Sequence, residues 1–530
     1  MKKILALILM IAALAFIITG CGTAGGGDVG TGGGQAAGGG TGGAAAGNQD
    51  NDVQGGRANI IIATAADIVS LDPHASNDAP SSDVNRQIYS SLLRTNTAME
   101  FVPDLALSWE NISPTEWQFN LRPDVVFHDG TPFTASDVRF SILRQQQHPQ
   151  VQHLVAPIAD VHVVDDLTVI IETHEPFGPI LANLSHNATR ILSEAAVTYF
   201  GDDYAENPIG TGPMQFVSWT PGVEVVLERF EDYFEGAPMA ETLTFRVITD
   251  GPARTIALEA GEVDMVGTVE HVDIDRINNH ADLVLEETMS NRIEWLSFNL
   301  QRYPFDNVLV RQAIAHAIDR EGLNIVGYMG RAQIANSFTG PTVFGYNPNV
   351  ERIEFNPDLA RELLAEAGYP DGFSTTLWTQ GDVRNRKAQV IQSNLRDIGI
   401  IAEIEMLEWA AYLDRTSAGE HYMHLLGWTN LTGDGDPGMW PLYHSSSFGG
   451  GNRAFFANDR VDYLLEQGRT ETNMQARLPH YHEVQDILRE YMNVVPLNIL
   501  PVELAFRTGL QGVELHPSGS HRFHNLHFAN

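Results

Sequence analysis

From residue 58 onward the apolar positions repeat with two periods, so the chain reads as strands and helices in alternation. Residues 59–64 (Asn-Ile-Ile-Ile-Ala-Thr) form a short apolar run and predict a buried strand. Residues 116–121 alternate, with Trp117, Phe119 and Leu121 on one face, and predict a second strand. Residues 161–173 predict a hairpin turning at Asp165-Asp166, and residues 223–228 another strand. Helical spacing joins Val84, Ile88 and Leu92 over residues 81–93, and Val310, Ile314 and Ile318 over residues 310–320. Further helices are predicted over residues 255–259, 358–367 and 386–398, with Gly261, Gly368 and Gly399 as their stops. A strand starts after Gly399, and helices follow over residues 462–468 and 480–491. The second half alternates helix and strand, as an α/β lobe does.

The first twenty residues follow another pattern. Lys2 and Lys3 precede an apolar run from Ile4 to Ile18, then Thr19, Gly20 and Cys21. That is a secretory leader, with a run shorter than the ~20 residues of a membrane-spanning helix. Cys21, the single cysteine of the chain, follows two small residues and resembles the lipobox of bacterial lipoproteins. The resemblance implies an acylated Cys21 as the mature N-terminus; a plain leader with an incidental cysteine is the competing reading. Residues 22–57 are nearly all Gly, Ala, Thr, Asn, Gln and Asp. They cannot bury enough apolar surface to order themselves, and the expectation is a flexible tether reaching about 30–35 Å.

Composition narrows the chemistry. The body is too long for one core, which predicts two or three domains. With no second cysteine the fold stands without disulfides. The formal charge of −35 disfavours nucleic acid and anionic lipid as partners. Beyond Lys3 the sequence holds one lysine, Lys387, which follows Arg386, so no Gly-Lys-Ser/Thr phosphate loop exists. No Gly-x-Ser-x-Gly elbow occurs, His482-Glu483 lacks the second histidine of a zincin, and Gly210-Thr211-Gly212 runs into Pro213 rather than a dinucleotide loop. Nothing supports a hydrolase.

Residues 121–138 (Leu-Arg-Pro-Asp-Val-Val-Phe-His-Asp-Gly-Thr-Pro-Phe-Thr-Ala-Ser-Asp-Val) resemble the signature of family 5 extracellular solute-binding proteins. These are the receptors of ABC importers for dipeptides, oligopeptides and nickel. Leu71-Asp72-Pro73-His74, Val102-Pro103-Asp104-Leu105-Ala106, Gly210-Thr211-Gly212-Pro213, Leu258 to Asp264, Arg311 to Arg320, and Gly427-Trp428 with Asp436-Pro437 fit the same family in the same order. The signature segment itself reads as structural: Asp129-Gly130 and Thr131-Pro132 are turn chemistry, and Thr134 with Asp137 forms a helix cap.

The resemblance implies an α/β, bilobal periplasmic-binding-protein-like fold of the large, three-domain type with a hinged ligand cleft. It divides the chain into a leader (1–20), a lipidated cysteine with tether (21–57), lobe I (58–93, 176–298 and 500–530), an additional domain II (94–175) and lobe III (299–499), with crossovers near residues 298 and 499. It implies a monomer without enzymatic activity or cofactor, lipid-anchored on the extracytoplasmic face of the cell membrane. Such a receptor captures peptides and passes them to ABC permease subunits with cytoplasmic ATPases. A tethered chaperone or adhesin would not need the Gly-Trp and Asp-Pro segment.

For the site, the family's amine-holding aspartate falls near Asp434, in a segment about two residues longer than the dipeptide-receptor version; Asp436 reads as structural. The carboxylate-binding arginine falls on Arg384 or Arg386, past the strand ending Leu377-Trp378. Trp378, Trp409 and Trp428 are candidate apolar walls, Trp428 foremost. His421 with His424, expected on opposite faces of a strand, and His521, His524 and His527 raise a nickel alternative, although no metal site is assigned. An oligosaccharide, a glutathione-like solute or a nickel chelate are the alternative ligands.

Overall fold

A computed structural model describes residues 58–529; the leader, Cys21 and the tether lie outside the described residues. Its centre is an 11-stranded mixed sheet. One half is built from Asn59–Thr64, parallel to Thr242–Val247 and Met265–Val266, with Glu224–Arg229 and Met214–Thr220 extending the edge. The other half joins Ser374–Thr379, Ile401–Met406 and Met423–Thr429. Two long strands, Leu283–Phe298 and Val494–Arg507, run antiparallel to each other and belong to both halves. The first meets Met423–Thr429 through residues 292–298, and the second meets Met265–Val266 through Ala505 and Phe506. Their ladder is interrupted between Met289 and Ile293.

Separate hydrophobic cores flank this crossing. One gathers Ile60, Leu227, Leu243, Leu504 and Phe523. Others hold Leu296, Ile314, Leu377 and Leu497, or Trp295, Met439, Tyr481 and Ile499, in the C-terminal half. A four-stranded antiparallel sheet of Ala106–Ser113, Glu116–Leu121, Thr168–Thr173 and Ile158–Asp165 carries its own core around Phe119, Ile142 and Ile171. Among the described residues no helix is long and apolar enough to cross a membrane.

The strand at 59–64 and the hairpin at Asp165-Asp166 form as the pattern predicts. Helices end at Gly261 (φ +72°), and just before Gly368 (φ +93°) and Gly399 (φ +88°), where an L side chain would be strained. Two helices differ from expectation. The helix at 81–93 stops at Ile88, because the Ile88 carbonyl accepts from Gly212 N (2.8 Å) instead of the next turn; Leu92 is buried beside a short strand. The helix at 310–320 is two, Val308–Ala317 and Arg320–Tyr328, since Asp319 caps the second through Gly322 N (3.0 Å).

The signature segment has a structural task. His128 Nδ1 accepts from Gly210 N (3.3 Å), so its Nε2 carries the proton and donates to the Gly212 carbonyl (3.0 Å). Burial holds that imidazole down to about 4, keeping it neutral. A Cβ at Gly212 would meet Gln87 O at 2.5 Å, which explains the glycine. Thr134 and Asp137 form the capping box.

Candidate ligand-binding site

Helix Ala79–Ile88, capped by Asp78, brings Arg86 to its last turn. The strand Leu93–Thr95 follows and presents Arg94; Asp104 comes just after the strand Phe101–Pro103, and Arg522 from the C-terminal segment. Together with Arg190 and Tyr89 they line a polar space that opens to solvent. Leu431, from the Gly427–Pro437 segment of the other half, lines it too. The two halves touch at other points as well: Gly178 N donates to Arg469 O (2.7 Å), and a Cβ at Gly433 would meet Met99 Cε at 2.6 Å.

Three of these guanidiniums have carboxylate partners. Arg86 pairs with Asp83 (3.0 Å), while Arg94 (3.0 Å) and Arg522 (3.3 Å) share Glu235. Arg190 differs. It is 6% exposed, yet among the described residues no carboxylate lies within 4.0 Å of it. Its Nε donates to Asn187 O (3.1 Å) and its Nη2 to Asn187 Oδ1 (3.2 Å), which fix its direction without balancing its charge. Burial, aided by the neighbouring Arg86 charge and opposed by the more distant Asp104 carboxylate, holds its pKa down to about 9, still cationic at neutral pH. Its backbone is anchored by His74, whose Nε2 donates to the Arg190 carbonyl (3.2 Å). The Leu71-Asp72-Pro73-His74 motif thus supports this arginine, and Asp72 is itself held by Arg144 (2.6 Å).

Asp104 is the counterpart. It is 3% exposed; Oδ2 accepts from Ser91 N (3.0 Å), and Oδ1 has no hydrogen-bond partner. An unpaired guanidinium and an unbonded carboxylate oxygen therefore border one space. A buried polar group without a partner costs about 1–3 kcal/mol, more when charged. An occupant that supplies both partners recovers that cost.

The residues singled out in the sequence lie elsewhere. Asp434 is 1% exposed, caps helix Gly435–Tyr443 through Asp436 N (2.9 Å), and has both oxygens on Arg477 (2.7 Å each). Its expected partner was a ligand ammonium; the carboxylate is instead saturated inside the protein. Asp436 is paired with Arg469 (2.9 Å). Arg384 (2.9 Å) and Lys387 (3.0 Å) both hold Glu294, to which the Tyr328 hydroxyl also donates. Although burial works the other way, Lys387 and Arg384 hold the Glu294 carboxyl well below the usual range. Arg386 is exposed on helix Asp382–Asp397. Trp378 sits in the core at 3% exposure with Arg415 over its ring (4.3 Å). Trp428 is half-buried and donates from Nε1 to Pro437 O (3.1 Å); Trp409 is largely exposed and stacks on Tyr412. None of the five ligand candidates lines the arginine-rich space.

His421 and His424, expected on opposite faces, meet edge to face with ring centroids 4.4 Å apart, because the strand begins only at Met423. His521 accepts from His516 N, within the C-terminal segment. Among the described residues no group of three or more His, Cys, Asp or Glu side chains is placed to hold a metal ion.

Sequence reasoning did not single out Arg190 or Asp104, the two candidates that the geometry offers. A signal existed for Arg190: it is the sole charged residue between Glu175 and Glu194.

Two halves joined by a pair of continuous strands, with polar groups converging where they meet, define a solute receptor of the periplasmic-binding-protein type. The chain belongs to the bacterial extracellular solute-binding proteins, family 5, whose model matches residues 100–450. It is 30% identical over 479 residues to a glutathione-binding protein of Salmonella typhi, covering 88% of this chain and 93% of that one. The structure of HbpA2 from Haemophilus parasuis superposes with a TM-score of 0.82 at 28% identity, covering 89% of this chain and all of that one. The periplasmic binding protein DppA of Helicobacter pylori, solved with the peptide STSA, gives a TM-score of 0.76 at 29% identity, covering 90% and 99%.

Proposed function

We propose that this receptor captures a peptide or peptide-like zwitterion in the arginine-rich space, with its carboxylate on Arg190 and its ammonium on Asp104. The single observation that carries this reading is the presence, in one space, of a buried cation with no carboxylate within 4.0 Å and a buried carboxylate oxygen without a donor. A guanidinium fork suits a carboxylate, and a charge-assisted bond offsets part of the desolvation of both groups. Two family relatives bind ligands of this chemistry: the Salmonella protein binds glutathione and the Helicobacter protein holds a peptide. Asp434, Arg384 and Trp378 then serve the architecture, and Trp428 the wall behind the Leu431 loop. The solute is handed on to an ABC permease rather than chemically changed.

The experiment is calorimetric titration with glutathione and short peptides, each against its N-acetylated and C-amidated forms. Both modifications are expected to weaken binding at least tenfold. If neither changes Kd, the zwitterion reading fails, and an oligosaccharide becomes the leading ligand.

The lobes of this proposal pivot near residues 289–293 and 499–501, the second at the crossover expected near residue 499 and the first a few residues before the one expected near 298; the interrupted ladder there supports the choice. The receptor acts as a monomer held to the extracytoplasmic membrane face through acylated Cys21. Cys21→Ser is expected to move the protein from the membrane fraction to the soluble one. Retention of the variant in membranes after a high-salt wash overturns the anchor.

A further inference from the structure

A small cavity of mixed lining, with Leu426, Leu442 and Ala454 among its apolar walls, lies within the C-terminal half. Its wall includes Trp295, Ser297, His424, Tyr443, Arg453 and Val494. Tyr443 and His424 are each 1% exposed. Three atoms of these wall residues have no hydrogen-bond partner: the Tyr443 hydroxyl, His424 Nδ1 and Arg453 Nε. They come from three places in the fold, namely helix Gly435–Tyr443, strand Met423–Thr429 and the loop after Gly451. Arg453 makes one side-chain bond, from Nη2 to Ser417 Oγ (3.3 Å), and among the described residues no carboxylate lies within 4.0 Å of it.

All three orphan groups can donate. Burial, then the charges of neighbouring histidine and arginines, holds His424 well below its ordinary pKa, so a neutral imidazole can present Nδ1–H. The free space is about that of one water molecule, too small for phosphate or an organic acid. A cation would be repelled by Arg453. A water would satisfy the bonds but leave the half-buried Arg453 guanidinium without a counter-charge, which an anion supplies. We infer that this cavity is a site for a single halide ion, chloride under ordinary conditions, held by Arg453, Tyr443 and His424.

Crystals of the full-length protein grown in bromide test it by anomalous scattering, with thermal melts in chloride against gluconate at fixed ionic strength. The expected result is one anomalous peak within hydrogen-bonding distance of Arg453 Nε and the Tyr443 hydroxyl, and a melting midpoint that rises with chloride and saturates. Tyr443→Phe, which keeps the ring, and Arg453→Gln should each flatten the chloride dependence. An ordered water with no bromide peak overturns the inference. So does a peak without saturating stabilisation, which marks an adventitious ion only. A chloride dependence that survives in both variants places the halide elsewhere and overturns it as well.

Discussion

Replacing Arg190 by methionine is expected to weaken ligand binding by about 2–5 kcal/mol, the range for truncating one member of a buried charge pair. That corresponds to roughly thirtyfold to several thousandfold in Kd. The same change should leave the ligand-free protein at least as resistant to heat as the parent. In the empty site the guanidinium is buried, has two bonds to Asn187 and has no carboxylate within 4.0 Å, the Asp104 charge reaching it only from farther off. Removing it therefore discards a desolvation cost that the distant Asp104 charge offsets only in part, rather than a close stabilising pair. The opposed signs make the prediction sharp. Calorimetric titration and a thermal melt without ligand read the two quantities separately. Unchanged affinity would eliminate Arg190 as the carboxylate partner, and a large loss of heat resistance would make it a residue of the fold.

Asp434→Asn is expected to act in the reverse direction. Its partner Arg477 is buried, and both its Nη atoms bond to the Asp434 oxygens, with the Tyr481 hydroxyl accepting from Nη2 (2.8 Å). Breaking such a pair strands a cation in the interior and costs about 3–5 kcal/mol of stability. Folded molecules of the variant should bind with near-parent affinity, because Asp434 does not border the ligand space. Replacing both partners together, Asp434→Leu with Arg477→Met, should recover most of the loss, since no charge is then left unpaired. Denaturant unfolding of the two variants checks the stability statement. A Kd that worsens in Asp434→Asn while unfolding is unaltered would return the carboxylate to the ligand.

These two residues show where sequence reading reaches and where it stops. The strand at 59–64, the capping box of Thr134 and Asp137, and the helix stops near Gly261, Gly368 and Gly399 depend on a few adjacent residues, and each is visible in order along the chain. The helix that ends at Ile88 does so for a glycine over a hundred positions later, so its local pattern runs on too far. The site follows the same logic. Asp434 stands at a spacing that suggests ligand contact, yet its partner is 43 residues away on another helix. Arg190 and Asp104 converge only because the chain folds back through Ser91, His74 and Asn187. Family motifs located the cleft-forming segments without telling a carboxylate that faces a solute from one that faces an arginine.

The pairing of Lys387 with Glu294 also gives the molecule an unusual response to acylating reagents. Lys387 is the single lysine beyond Lys3, and its ammonium is fully buried at the end of a 3.0 Å contact. A reactive ester therefore meets no ε-amine on the surface of the folded body, although the surface is rich in carboxylates. Acylation at Lys387, separated from Lys2 and Lys3 by peptide mapping, would proceed only as fast as the helix Asp382–Asp397 lifts from its neighbours. One side chain thereby becomes a built-in clock for opening of the C-terminal half, readable by mass spectrometry on the unaltered protein.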